Sequence, residues 1–316
     1  MKKNPILAIV VPCYNEEEVL PETVKRLVAV LNSLQRENLV SNESFICFID
    51  DGSKDQTWKL ITEYHEKNPA IKGIKLARNA GHQKALLSGL LTVRNKADLT
   101  LSIDADLQDD TDVILEFVKR YHEGNEIVYG VRKERQTDTF FKKWTALAFY
   151  KLMTVMGVDI IYNHADYRLA SSKVLNYLSD YKEVNLFLRG LFPLIGFKTS
   201  CVYYDRKERF AGESKYPFFK MLSFALDGIT SFSVVPLRLI VFSGIIIFIV
   251  SLILSLWALV QWFKGTVVAG WASTVIPIYF IGGIQLISLG VIGEYIGKIY
   301  KETKKRPHYV NEIELF

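Results

Sequence analysis

Short apolar runs punctuate the chain up to about residue 131: residues 7–11, 44–49, 71–76, 99–103 and 126–131. Each is rich in Val, Ile, Leu or Phe and gives way to polar residues, which predicts buried strands. Stretches 17–34, 55–67, 81–93 and 111–123 lie between them and read as helices. Strand and helix in alternation predict an α/β domain built on a mostly parallel sheet. Ligands of such sheets bind beyond the carboxyl ends of the strands.

The pattern changes near Val235. From residue 239 through 263 there is no charged residue, a run long enough to cross a bilayer core. Residues 245–250 lack the polar stripe that a soluble helix carries on its exposed face. Lys264 interrupts, and 265–293 is again uncharged, holding a second span from about Trp271. Trp257, Trp262 and Trp271 stand where interfacial aromatics belong, while Pro277, Gly282 and Gly283 allow a kink or close helix approach. Lys220 and Arg238 precede the first span, and Lys298, Lys301, Lys304, Lys305 and Arg306 follow the second, against Lys264 alone between them. The positive-inside rule then predicts cytoplasmic termini and a cytoplasmic N-terminal domain. Residues 217–232 put Phe219, Leu222, Leu226 and Ile229 at spacings of three and four, and read as an interfacial helix leading into the first span. Residues 139–156, with Phe140, Trp144 and Leu147 on one face, suit the bilayer surface and the sheet equally. The expected division is a cytosolic catalytic domain (1–216), an interfacial region (217–235), a two-helix transmembrane hairpin (236–298) and a basic cytosolic tail (299–316).

Composition narrows the partners. The chain is 316 residues long, 49% hydrophobic and 13% aromatic, which excludes a disordered protein. A net charge of +5 carries no nucleic-acid footprint, so no nucleic-acid partner is expected. Cys13, Cys47 and Cys201 lie far apart without metal-ligand spacing and read as reduced thiols. Residues 1–5 lack the apolar core of a signal peptide.

The chemistry collects at predicted strand ends. The first strand runs into Pro12-Cys13-Tyr14-Asn15-Glu16, the second into Asp50-Asp51-Gly52-Ser53, and the fourth into Asp104-Ala105-Asp106-Leu107-Gln108-Asp109. A carboxylate there accepts hydrogen bonds from a base or ribose, or binds a divalent cation. Asp104 and Asp106, two residues apart on a turn, suit Mg²⁺ or Mn²⁺ shared with substrate phosphates. Each motif alone is weak, because Asp-x-Asp also serves as a solvated turn or a helix cap and Asp-Gly-Ser is a common turn. Arg132 and Arg135 follow the fifth strand, and two guanidiniums there suit a phosphate monoester. His82 and His164 lie near these motifs; a lone histidine is more often structural, so both stay outside the catalytic set and remain to be tested as donor contacts.

Taken together and in this order, the motifs resemble glycosyltransferase family 2, with its GT-A nucleotide-sugar-binding fold. The two C-terminal spans make the chain similar to polyprenyl-phosphate glycosyltransferases such as bactoprenol glucosyltransferases and dolichol-phosphate mannose synthases. The resemblance implies that Pro12, Tyr14 and Glu16 line the base and ribose pocket, that Asp51 with Asp50 faces the base, and that the loop with Arg78 and Gly81 closes over the nucleotide. It implies that Asp104, Asp106 and Gln108 serve metal and diphosphate, and that Asp166 with Arg168 forms the later acidic motif near the reacting centre. Arg209, Ser214 and Lys215 resemble the basic loop that contacts the diphosphate or acceptor phosphate.

A lipid phosphate is already ionised near neutral pH, so its attack needs no strong general base. Asp166 is therefore expected to orient a sugar hydroxyl or an arginine. The implied reaction is inverting transfer of a hexose, UDP-glucose favoured over UDP-N-acetylglucosamine or UDP-galactose, to undecaprenyl phosphate for cell-envelope glycosylation. A bacterial plasma-membrane protein, with some tendency to homo-oligomerise, is implied with it. A processive polysaccharide synthase would carry Gln-x-x-Arg-Trp, which this chain lacks. An inactive scaffold would have lost Asp106 or the basic loop, and both remain. Glu16-Glu17-Glu18 stands where a nucleotidyltransferase wants a glycine-rich basic loop.

Overall fold

A computed structural model describes residues 4–133, 164–183, 186–205, 233–264 and 270–316. The chain divides into two compact units, one holding a sheet with its helices and residues 305–316, the other holding two long helices. The expected helices at 139–156 and 217–232 lie outside the described residues.

In the first unit the strands are β1 (Leu7–Cys13), β2 (Phe45–Asp50), β3 (Ile71–Leu76), β4 (Leu99–Ser102), β5 (Ile127–Arg132), β6 (His164–Ser171), β7 (Thr199–Tyr204) and β8 (Asn311–Leu315). They form one sheet in the order β7-β5-β6-β4-β1-β2-β3-β8. Its central block, β4-β1-β2-β3, is parallel, as is the β5–β7 pair. Strand β6 runs antiparallel between β4 and β5, and β8 runs antiparallel along β3.

Helices α1 (Leu20–Arg36), α2 (Thr57–Lys67), α3 (His82–Val93) and α4 (Ile114–His122) occupy the predicted positions, and α5 (Ser172–Leu178) and α6 (Leu188–Ile195) follow β6. Alternation sorts the strand residues onto two faces. Leu7, Ile9 and Val11 of β1 join Leu27 and Leu31 of α1 and Phe117 of α4 in the main core. Val10, on the opposite face, meets α3 so closely that a Cβ on Gly89 would stand 2.6 Å from its methyl group. Cys13 and Cys47 are free and buried, and burial pushes both thiols up, Cys47 to about 12, which keeps them protonated and inert.

The stretch 299–316, the expected basic tail, contains regular structure. Its helix continues to Thr303, and Asn311–Leu315 closes the sheet as β8. Lys75 pairs with Glu312 at 2.8 Å across that edge. Ser88 of α3 donates to Asn311 Oδ1 at 2.7 Å. The two glutamates of β8 are exposed, as on many edge strands.

The second unit contains α7 (Val235–Phe263) and α8 (Trp271–Thr303). The windows Val235–Leu254 and Phe280–Thr303 have mean hydropathies of 2.8 and 1.4, and both are long and apolar enough to cross a membrane. Phe242, Phe248 and Ile253 of α7 and Leu286 and Ile287 of α8 are exposed, a surface suited to lipid rather than water. The Tyr295 hydroxyl of α8 donates to the Ser233 carbonyl just before α7, at 2.5 Å.

Candidate active site

Strand register assembles the site. Cys13 of β1 lies beside Asp50 of β2, and Val10 beside Ser102 of β4, so the carboxyl ends of these strands open together. On β6, Arg168 lies opposite Ser102. Continuing that antiparallel register past the end of β4 sets Asp166 level with Asp104. Residues 62 positions apart (166 − 104) thereby face one another because one antiparallel strand is inserted beside a parallel block.

The Asp50-Asp51-Gly52-Ser53 turn is tightly built. Both Asp50 oxygens accept from Ser53 N–H at 3.3 Å. The Asp51 oxygens accept from Ala80 N–H at 2.7 Å and Gly81 N–H at 2.9 Å. Burial raises both carboxyls above the ordinary range, and these hydrogen bonds oppose it. Asp50 and Asp51, expected to face the donor base, are buried and hold their own turn and the loop at 80–81.

Gly52 has φ +68°, and a Cβ there would stand 2.6 Å from the Asn79 nitrogen, so only glycine lets the two loops meet. Gly81, with φ +94°, starts α3. Tyr14 and Arg78 are exposed at the same end, Glu16 is half-buried and Pro12 is buried. Asn15, in the left-handed region at φ 54°, accepts from Lys54 N–H at 2.9 Å and locks the first loop onto the second.

Beyond β4, Asp106 Oδ1 accepts from Gln108 N–H at 3.2 Å, and Leu107 takes a left-handed φ of 57°. Burial raises Asp104 to about 6, with Asp109, Asp166 and Asp106 adding to the rise and His82 opposing it. A carboxylate so poorly neutralised suits a cation. Among the described residues no three His, Cys, Asp or Glu side chains close around one point. Asp104 and Asp106 therefore fit a hard divalent ion that takes its other ligands from phosphate and water.

Asp109 takes another role. It is buried, and its Oδ1 accepts from Tyr204 Oη at 2.6 Å and Arg132 Nη2 at 3.1 Å. Arg132, expected at the acceptor phosphate, is thus tethered beside the acidic turn with its side chain 21% exposed. Burial would lower its pKa, but Asp109 and Tyr204 raise it, so it stays charged. Arg135, Arg209, Ser214 and Lys215 lie outside the described residues.

Asp166 is the hub. Its side chain is 6% exposed and receives Arg189 Nε on Oδ1 at 3.3 Å, Arg189 Nη2 on Oδ2 at 3.1 Å and Gln83 Nε2 on Oδ2 at 3.1 Å. His82 Nε2 stands 3.7 Å from Oδ2 and 3.5 Å from Asp104 Oδ1. Burial alone would raise Asp166, yet Arg189, His82 and Arg168 drive it well below the carboxylate range. Burial alone would lower His82, yet Asp166 and Asp104 raise it to about 9. Asp166 is therefore an ionised anchor, poorly suited to accept a proton.

Arg168, the expected partner of Asp166 at the reacting centre, is buried beside that carboxylate. Its side chain is 1% exposed, its Nη2 is 3.7 Å from Asp166 Oδ1, and its guanidinium stacks 3.9 Å from the Phe192 ring centroid. Burial lowers it to about 10, against the pull of Asp166. It acts on the site through Asp166. His164 is buried edge-on to Tyr129, consistent with a structural role.

The hub contains residues absent from the expected set: His82, Gln83 and Arg189. Gln83 also accepts from Leu188 N–H at 3.2 Å, so one side chain joins the start of α3, Asp166 and the start of α6. In sequence, Arg189 sits inside Phe187-Leu188-Arg189-Gly190-Leu191-Phe192, which reads as a core helix. A lone arginine in such a run is the signal that could have marked it.

The chain has full-length relatives. It is 54% identical over 315 residues to the "Uncharacterized glycosyltransferase YkoT" of Bacillus subtilis, covering 100% of this chain and 94% of that one. It is 39% identical over 306 residues to the "Prophage bactoprenol glucosyl transferase homolog" of Escherichia coli, covering 96% of this chain and 97% of that one. Against the bactoprenol glucosyl transferase of Shigella phage SfX it is 38% identical, covering 96% and 98%. Among solved structures, mannosyl-3-phosphoglycerate synthase from Rubrobacter xylanophilus superposes with a TM-score of 0.50 at 15% identity, covering 72% of this chain and 73% of that one, a likeness of fold. Residues 8–178 match the family model described as glycosyl transferase family 2. On that match, on these relatives and on a GT-A-like sheet that gathers its acidic groups at the strand ends, the chain belongs to glycosyl transferase family 2, and it is a glycosyltransferase.

Proposed function

We propose that the chain is a membrane-bound inverting glycosyltransferase that moves a hexose, glucose foremost, from a uridine diphosphate donor to a polyprenyl phosphate. The observation that carries this reading is the state of Asp166. A hydroxyl acceptor needs a base at the reacting centre, and the buried carboxylate there is hydrogen-bonded on both oxygens by the Arg189 guanidinium and on one by Gln83. A phosphate acceptor arrives already ionised and asks only for positioning and charge. Relatives named as bactoprenol glucosyl transferases support both the lipid and the sugar. The two long apolar helices supply a hold on the bilayer in which such a lipid resides. Strand β8, which follows them and pairs with β3, supports an even number of crossings, with entry and exit on one side.

The residues divide the work. Tyr14, Glu16 and Arg78, beside loops held by Asp50, Asp51, Gly52 and Gly81, receive the nucleotide. Asp104 and Asp106 would hold Mg²⁺ or Mn²⁺, which when bound neutralises the leaving diphosphate. Gln108 keeps the Asp106 turn in shape through its backbone N–H. Asp166 fixes the cations that face the transfer point, and Arg168 supports Asp166 from below. Arg132 adds positive charge on the acceptor side, joined in this reading by Arg135, Arg209, Ser214 and Lys215. The product is a polyprenyl-phosphate-linked sugar, consumed at the cell envelope.

A lipid-extraction assay tests the reading. Purified protein is incubated with Mg²⁺ or Mn²⁺, undecaprenyl phosphate and radiolabelled UDP- or GDP-sugars, and label is counted in the organic phase. Metal-dependent label from UDP-glucose, absent in Asp106→Ala, is expected. Label from no donor, in protein that binds UDP, would overturn the lipid-phosphate acceptor.

A further inference from the structure

Asp166 has more cation than one carboxylate needs. Arg168 already lies under it, buried and stacked on Phe192, with Nη2 3.7 Å from Oδ1. Arg189 then covers the same carboxylate from α6, committing Nε to one oxygen and Nη2 to the other. Two guanidiniums share one carboxylate, and Arg189 also feels Asp104 at the acidic end of β4.

The two arginines differ in exposure. The Arg168 side chain is 1% exposed, and none of its three nitrogens bonds to a described residue, so it is a buried counter-charge. The Arg189 side chain is 32% exposed while the Asp166 carboxylate it grips is 6% exposed. The edge of the Arg189 guanidinium turned away from Asp166 carries Nη1 and the outer N–H of Nη2, and neither bonds to a described residue. A guanidinium held by a carboxylate along one edge presents its other edge in one orientation, which suits the paired oxygens of a phosphate. Gln83 stiffens the arrangement: it donates to Asp166 Oδ2 at 3.1 Å and accepts from Leu188 N–H, the residue before Arg189, at 3.2 Å.

We propose that Arg189 is a phosphate-binding residue of the transfer site, oriented by the Asp166 fork and engaging a phosphate oxygen through its outer edge. The proposal rests on the glycosyl-transfer reading, in which two phosphates approach this point: the donor diphosphate and the acceptor phosphomonoester. Their shared chemistry recruits Arg189, and the experiment separates them.

Full-length wild-type, Arg189→Lys and Arg189→Ala proteins are compared in detergent. One arm measures UDP affinity with Mn²⁺ by calorimetry. The other measures initial rates of lipid labelling from UDP-glucose as undecaprenyl phosphate is varied. Loss of a charged hydrogen bond predicts a rise of about 10- to 100-fold in one constant for Arg189→Ala. Arg189→Lys falls between, because lysine keeps the charge and loses the fork. A rise in the UDP dissociation constant assigns Arg189 to the donor diphosphate. A rise in the KM for lipid phosphate, with UDP affinity unchanged, assigns it to the acceptor.

If both constants in both variants stay within about twofold of wild type, the proposal is wrong and the pair is a structural salt bridge, visible only as a lower melting temperature. Should Arg189→Ala fail to fold, Arg189→Lys carries the same comparison. A wild-type protein that labels no lipid overturns the acceptor reading by itself. UDP affinity then remains the measure for Arg189, and an unchanged value overturns the proposal too.

Discussion

Asp166→Asn takes one charge from the hub while keeping its shape. The carboxylate accepts three hydrogen bonds, two from Arg189 and one from Gln83, with His82 and Arg168 each 3.7 Å away. An asparagine turned to keep its oxygen at the Oδ2 position retains Gln83 and Arg189 Nη2 but points an amide donor at Arg189 Nε. Arg168 is then left buried without its counter-charge. Breaking a buried pair by removing one partner costs about 3–5 kcal/mol. For a domain of this size that lowers the melting temperature by roughly 10 °C.

Catalysis suffers in parallel. Misplacing Arg189 by about 2.7 kcal/mol at the transition state slows transfer about a hundredfold. The assay pairs thermal melts in detergent with lipid labelling across pH. Because Asp166 anchors rather than accepts a proton, the variant should keep both limbs of the rate–pH profile and lose height. A variant that melts within about 2 °C of wild type and transfers at its rate would refute the hub. A variant that abolishes one limb of the profile would instead make Asp166 a base.

Other outcomes follow from single contacts. His82 has a folded pKa of about 9 against 6.5 for a free histidine, so its contribution to stability is complete below about pH 6.5 and is lost as pH rises through 9. The melting temperature of metal-free wild type should therefore fall relative to His82→Gln between pH 6.5 and 10, and parallel curves would count against the ion pairs. Gly52→Ala places a methyl group 2.6 Å from the Asn79 nitrogen at a φ of +68°. It should cost about 1–3 kcal/mol and weaken UDP binding, and wild-type affinity would mean that the two loops separate freely. Asn311→Ala strands the buried Ser88 hydroxyl, whose acceptor it removes, and should destabilise the sheet unit by about 1–3 kcal/mol in urea melts. An unchanged midpoint there would make β8 ornamental.

The parallel block was readable because nearly every residue in it is buried: β1 and β2 are buried throughout, and continuous apolar runs follow. Strand β6 was not, although it too is buried along its length. Its Asp166 and Arg168 compensate each other inside the protein, so a buried strand spells out as His-Ala-Asp-Tyr-Arg-Leu-Ala-Ser. Strand β8 was missed for the opposite reason, since an edge strand is half solvated and Asn-Glu-Ile-Glu-Leu resembles a tail. Within the site, the acidic strand ends announced themselves by type and position. Whether a carboxylate there meets a ligand or a neighbouring backbone, as Asp51 meets Ala80 and Gly81, depends on loop packing that spacing does not record. Arg189 escaped notice because its partner lies on another element, joined to it only by the fold.

The eighth strand also imposes an order on biosynthesis. A ribosome delivers β1 through β7, then two apolar helices, and only afterwards the residues that pair with β3. The sheet therefore waits with one rim open until both apolar helices have been synthesised. An open rim offers unpaired N–H and C=O groups to other nascent chains. A soluble fragment cut before α7 would keep that rim open permanently. Preparations of the isolated catalytic unit should accordingly supply β8 as a fused or added peptide.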